Sequence, residues 1–403
     1  MSEQAAPPVA GPMIELGPIR TMLEAGHREG IAPGLSAVIL AGGKIVHASV
    51  HGDAQVEPAR RPLRGADRFD LASLTKLFVM SAAARLAERG ALDIDASASR
   101  WLPVLGGAKA GVTVRHLLAH ASGLPAWRPW HEAVARDPLG RSAFLPPGER
   151  PGPEALVPAF RRGRELVEAA LAAEPLEAPA GARAIYSDVG FVALGNLLER
   201  LVGAPLDRLV SEEVLEPLEL GLTFFLPGLD PPRAQVLRTG SAFVATRRAP
   251  ARGGEVLCGA VDDDNAWALG GVAGHAGLFS TAEDVARFGQ GWLDALAGRT
   301  RWLSAATAER FVARDATRGS ERALGWDTPA REGSSFGARL GRGRLGAVGH
   351  LGFTGTSLWL DRDRELVCAL LTNHVHPDGA DRARMKAFRA RFHDSVAEGL
   401  GIG

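Results

Sequence analysis

The 403-residue chain has only two cysteines, Cys258 and Cys368, too few for a disulfide framework or a cysteine-ligated metal cluster. No apolar run is long enough to cross a bilayer, so no membrane span is expected. Charge of one sign is not in excess: 46 basic residues face 46 acidic ones, which leaves no electrostatic footprint for nucleic acid or an anionic membrane. The chain opens with Met1-Ser2-Glu3-Gln4-Ala5-Ala6-Pro7-Pro8 and lacks the basic start and apolar core of a signal peptide. As it stands it reads as cytoplasmic; a misassigned start would instead place the protein in the periplasm or outside the cell. Lysine is scarce, at Lys44, Lys76, Lys109 and Lys386 only, and Tyr186 is the single tyrosine. Against these scarcities, 46% hydrophobic and 23% charged residues are ordinary for a globular enzyme with a sizeable core.

The stretch from Phe69 to Gly90 organises the rest. Between Asp70 and Arg85 the only formal charge is Lys76, and helix breakers are absent until Gly90. A helix is expected from about Ser73, with Ser73 and Lys76 one turn apart on one face. So apolar a helix is buried, and desolvation is expected to lower the Lys76 pKa toward the range where it accepts a proton. That makes Ser73 a candidate nucleophile with Lys76 as its activator, and the Ser73 N–H a candidate oxyanion donor. The same spacing also fits a capping serine followed by a snorkelling lysine.

Taken in order, residues 1–12 read as a flexible lead and 13–29 as a helix. Two apolar runs around Gly42-Gly43 predict a β-hairpin. From Gly90 to about residue 250 the pattern is helices joined by Pro- and Gly-rich connectors, and residues 125–182 look like a lobe shaping access to a site. Ser280-Thr281-Ala282-Glu283 reads as a capping box opening a helix. Residues 345–373 read as β-structure and 380–398 as a closing helix. The expected fold is α+β: an antiparallel sheet flanked by helices and completed by both termini (13–90 and 255–403), with a mostly helical domain inserted at 91–254.

Further stretches carry chemistry. Tyr186, in Ala184-Ile185-Tyr186-Ser187-Asp188, is a candidate general base if cations lie beside it, or else a packed ring with its hydroxyl on a carbonyl. Gly349-His350-Leu351-Gly352-Phe353-Thr354-Gly355 lets a substrate lie against a strand, or simply bends into one. His116 and His120 are spaced i, i+4 but have no third ligand. Asp262-Asp263-Asp264-Asn265 lacks the spacing of a calcium loop and reads as a solvated turn. Gly333-Ser334-Ser335-Phe336-Gly337 matches a nucleophile elbow by letter only, with no strand before it.

In this order, Ser73-Leu74-Thr75-Lys76, His120-Ala121-Ser122-Gly123-Leu124, Tyr186-Ser187-Asp188 and His350-Leu351-Gly352 with Phe353-Thr354-Gly355 resemble the serine β-lactamase and penicillin-binding-protein superfamily, in its class C β-lactamase-related branch. The segment from Gly270 to Asp284 also resembles one common in that branch, and a similar stretch occurs in its muramyl-peptide amidases. The resemblance implies a β-lactamase-like fold and a cofactor-free serine hydrolase working through an acyl-enzyme on Ser73. Lys76 and Tyr186 would share the proton work, and the N–H groups of Ser73 and Phe353 would form the oxyanion hole. Asp188, His350, Gly352 and Thr354 would contact a small acyl substrate: an ester, a lactam or a peptidoglycan fragment. Asp188 stands where asparagine is usual, and when ionised it would pair with Lys76 rather than donate to a substrate. His350 stands where lysine is usual and is mostly neutral near pH 7. Both departures weaken the case for hydrolysis of carboxylate-bearing β-lactams. They leave open a β-lactamase-related hydrolase, a carboxylesterase, a muramyl-peptide amidase or peptidase, or a sensor that is acylated without turnover.

Overall fold

The computed structural model describes residues 16–330, 332–379 and 381–402. The lead expected at 1–12 lies outside them. The first helix, α1, runs Gly17–Arg28 and turns Ile19 and Leu23 inward. Strands β1 (Gly34–Ala41) and β2 (Lys44–Gln55) form the predicted hairpin, with Gly42 and Gly43 both at positive φ (55° and 78°) as its two-residue turn requires. After the short β3 (Arg61–Pro62) and β4 (Phe69–Asp70), helix α2 spans Thr75–Glu88. Residues 75–84 and Leu86 of α2 are all buried, so this helix runs through the interior.

Between residues 91 and 254 the regular structure is mostly helical: α3 (Val114–Leu118), α4 (Trp130–Arg136), α5 (Pro153–Ala173), α6 (Asp188–Val202), α7 (Leu206–Val210) and α8 (Pro231–Arg238). Two short strands, β5 (Phe224–Phe225) and β6 (Ala245–Ala249), interrupt this region. Next come β7 (Glu255–Cys258), α9 (Asp264–Ala268), β8 (Leu278–Ser280), α10 (Ala282–Leu296) and α11 (Ala305–Val312). Strands β9 (Ala347–Leu351), β10 (Ser357–Asp361) and β11 (Leu366–Thr372) precede the closing helix α12 (Arg382–Gly399).

The main sheet is antiparallel with order β3-β2-β1-β11-β10-β9, so the two ends of the chain meet at its centre, Val38 opposite Ala369. Alternation along β1 sorts two faces. Leu35, Ala37 and Ile39 pack with Ile19 and Leu23 of α1 and Phe388 and Phe392 of α12. Val38 and Leu40 join Phe288 and Trp292 of α10 in a larger core, which continues through α2 into the helical region. A small sheet of order β4-β8-β5 pins the backbone just before Ser73 to the strand at 278–280.

Three local expectations need correction. The α-helix begins at Thr75, and Ser73 sits in a one-turn 3-10 segment, Ala72–Leu74, that precedes it. The cap of α10 is Thr281, whose hydroxyl accepts from the Asp284 N–H at 3.2 Å, because Ser280 is still paired in β8. The turn at 262–264 is not solvated: Asp262 is 3% exposed, and arginines from neighbouring segments neutralise it.

Candidate active site

Ser73 lies at a sharp bend. Ala72, one residue before it, is held at φ +47°, and its N–H donates to Asp70 Oδ1 at 2.8 Å. A left-handed alanine costs about 1 kcal/mol, which the buried carboxylate offsets by accepting that N–H. The bend leaves Ser73 half-buried while Lys76, on the next turn, is fully buried. Lys76 Nζ donates to Ser73 Oγ at 2.9 Å and to the His275 carbonyl at 3.0 Å, and pairs with Asp188 Oδ1 at 2.7 Å. The aromatic faces of Tyr186 and Phe191 lie 5.0 and 5.7 Å from the ammonium. These contacts leave the capping-and-snorkelling alternative without support, since Ser73 caps nothing and Lys76 does not reach solvent.

The expectation of a depressed lysine is overturned. Burial does pull the Lys76 pKa down, but Asp188 and the hydrogen-bonded Tyr186 together outweigh it and hold the ammonium above its ordinary value. Lys76 is therefore a cation in the resting enzyme.

Tyr186 and Asp188 arrive by a different route. The Ser187 hydroxyl accepts from the Gly190 N–H at 2.9 Å and caps α6, while the Ser187 N–H donates to His120 Nδ1 at 3.0 Å. The His120 ring stacks 4.6 Å from Tyr186, with the His350 ring 5.9 Å from Tyr186. Burial, reinforced by the charges of Arg322 and Lys76, pushes both histidines well below the usual imidazole range, so both are neutral. His116 meanwhile closes the capping box of α3 with Thr113. Among the described residues no group of three or more His, Cys, Asp or Glu side chains is arranged to hold a metal.

The glycine-rich turn packs directly onto the bend before Ser73. Thr354 Oγ1 donates to the Asp70 carbonyl at 2.8 Å and Thr356 Oγ1 to the Leu71 carbonyl at 3.0 Å. A Cβ at Gly352 would come within 2.7 Å of the Leu71 carbonyl and 1.9 Å of Thr356 Oγ1, so no side chain fits there. Phe353, with its side chain exposed, follows Gly352 in this turn. From behind, the buried Arg389 of α12 donates to the Gly352 and Thr356 carbonyls at 3.0 and 2.8 Å.

Contacts join Ser73, Lys76, Tyr186, Asp188 and His350, and Gly352 and Thr354 pack on the bend before Ser73, with Phe353 between them in sequence. Sequence reasoning missed Arg389 and Arg322, the latter 5.0 Å over the Tyr186 ring and paired with Asp327. Neither sits in a motif, and the only signal was an arginine in an otherwise apolar helical face for Arg389. A cavity of about 450 Å3, lined in part by Ala184, Arg322, Leu351 and Lys386, borders the cleft.

A serine in the turn leading into a buried helix between an antiparallel sheet and a helical layer, with a lysine three residues on and a glycine-rich strand end packed on the bend before it, is the arrangement of the serine β-lactamase and penicillin-binding-protein class. The Beta-lactamase family model matches residues 19–391, and the chain belongs to that family. It is 32% identical to N-acetylmuramyl-L-alanine amidase from Bacillus subtilis over 370 residues, covering 85% of this chain and 78% of that one. It is 29% identical to a putative D-alanyl-D-alanine carboxypeptidase from Salmonella agona, covering 76% of this chain and 69% of that one. The fold is that of a class C β-lactamase, with a TM-score of 0.66 at 16% identity over 94% of this chain and 95% of that one.

Proposed function

We propose that the chain is a serine hydrolase that forms an acyl-enzyme on Ser73, and that its substrate is an amide of the muramyl-peptide type. The observation that carries the mechanism is the half-exposed Ser73 Oγ held 2.9 Å from an ammonium whose other contacts, Asp188 and the His275 carbonyl, pin it in place. Because Lys76 already holds its proton, Tyr186 takes the proton of Ser73 as Oγ attacks the carbonyl carbon. The N–H groups of Ser73 and Phe353 receive the developing oxyanion. Collapse breaks the C–N bond, and Tyr186 returns the proton to the leaving amine. Water then attacks the ester and gives its proton to Tyr186, which passes it to Ser73 Oγ as the ester C–O bond breaks and Ser73 is released.

Two features support the substrate class. The relative named as an N-acetylmuramyl-L-alanine amidase matches most of the chain. The neutral His350 offers no fixed charge to a β-lactam carboxylate. Incubating wild type and Ser73→Ala with N-acetylmuramyl-L-alanine, nitrocefin and p-nitrophenyl butyrate tests the reading. Alanine release by wild type and none by the variant is expected. Ester turnover without amide turnover would move the substrate to small esters, and labelling without any turnover would refute the hydrolase.

A further inference from the structure

The acidic turn Asp262–Asp264 grips both halves of the serine–lysine pair from one place. Toward the serine, the Asp262 N–H donates to Asp70 Oδ2 at 2.6 Å, and the other Asp70 oxygen holds Ala72, the residue before Ser73, in its bend. Toward the lysine, Asp263 Oδ1 faces His275 Nε2 at 2.9 Å, and the backbone carbonyl of that same histidine accepts from Lys76 Nζ at 3.0 Å. His275 Nδ1 is buried without a partner, so the Asp263 contact alone orients the ring. The turn is itself anchored. Arg247 pairs with Asp262 and Asp264 at 3.2 and 2.9 Å, and the fully buried Arg252 reaches Asp264 at 2.8 Å. Asp263 Oδ1 also accepts from the Ala266 N–H at 2.7 Å and so starts α9.

We propose that this turn is the clamp that sets the separation of the Ser73 hydroxyl and the Lys76 ammonium, with Asp263 and His275 as positioning residues for acylation; the inference rests on the hydrolase reading above. The geometry makes one rigid body of two contacts that no stretch of sequence joins. The Asp70 arm fixes where the hydroxyl emerges, and the His275 arm fixes how far the ammonium extends toward it. The Asp263 charge also reaches the site. Burial acts to raise its carboxyl, but the His275 ring, the Ala266 N–H and, to a lesser degree, Lys76 hold it below the usual carboxylate range, so it stays ionised. The charged and titratable groups facing Lys76 are then Asp188, Tyr186 and, at longer range, Asp263, with His120 and His350 neutral beside them.

The test measures kcat, KM and the pH profile for the best substrate of the wild type, with Ser73→Ala as the blank. Loss of the carbonyl's placement in His275→Ala should lower kcat by about tenfold or more while KM stays within about twofold, since small misplacements of reacting groups cost rate rather than binding. His275→Gln, whose amide still donates to Asp263, should recover most of that loss. Asp263→Asn keeps an acceptor for Ala266 and His275 but removes a charge, and should move the alkaline limb of kcat/KM to lower pH. Wild-type kcat in His275→Ala, changed only in melting temperature, together with an unshifted profile in Asp263→Asn, would overturn the inference and leave the hydrolase intact. Equal rates for wild type and Ser73→Ala would instead overturn the hydrolase reading beneath it.

Discussion

Replacing Asp188 by asparagine separates what burial does to Lys76 from what its counter-charge does. At 2.7 Å and an effective dielectric of about 20, the Asp188–Lys76 attraction is roughly 6 kcal/mol before desolvation is charged against it. Breaking a buried pair costs about 3–5 kcal/mol, and Asp188, with its side chain 22% exposed, should fall at or below the lower end because asparagine still accepts a hydrogen bond. The Lys76 contributions to the two stability curves should then differ between pH 7 and 10.5. In the wild type the Lys76 pKa is raised above its ordinary 10.5, so its contribution is present below that pH and is lost as pH rises through the folded value. In the variant burial dominates and the pKa should fall by about one to three pH units, the usual effect of one adjacent opposite charge. The variant should therefore gain stability as pH rises toward 10.5, while the wild type does not. Chemical unfolding of both proteins at intervals from pH 7 to 10.5 reads this difference directly. The alkaline limb of the acylation profile should move down by the same one to three pH units. Parallel stability curves and an unmoved limb would show that Asp188 does not control the charge on Lys76, and the proton route assigned to Tyr186 would lose its basis.

Asp70 loses its contribution with rising pH in the same sense, but at lower pH: burial first, and the neighbouring Asp262 next, push its carboxyl up to about 7 from an ordinary 3.8. Its contribution to stability is therefore full below about pH 4 and lost as pH rises through 7, a swing of at most roughly 4 kcal/mol. Asp70→Asn should flatten the decline between about pH 4 and 7 measured by urea unfolding, whatever its offset. Gly352→Ala should drive the strand end off the nucleophile's bend, because the added methyl would sit 2.7 Å from the Leu71 carbonyl. A destabilisation of about 1–3 kcal/mol, typical of overpacking, should accompany loss of Ser73 acylation in a stoichiometric labelling assay.

The fold was largely legible because its signals are local. The Gly42-Gly43 turn, the apolar runs at 34–41 and 366–372 and the unbroken apolar helix after Ser73 each specify an element from neighbouring residues alone. The order of the motifs named Ser73, Lys76, Tyr186 and Asp188, whose side chains meet in the fold. Element edges were less legible: the start of α2 slipped from Ser73 to Thr75 because the Asp70–Ala72 bend consumes the first turn.

Charge states and buried partners were decided by the tertiary structure. An apolar helix around Lys76 implied a lowered pKa, and the sign reversed because Asp188, 112 positions away, closes on the ammonium. The run Asp262-Asp263-Asp264 has the composition of an exposed turn, yet Asp262 is buried and its neighbours are only partly exposed because Arg247, Arg252 and His275 pair with the three carboxylates. Residue type and spacing set which groups can react, since they follow from the chain's own periodicity. The proton each group holds depends on field and solvent access, which exist only once distant segments have packed together.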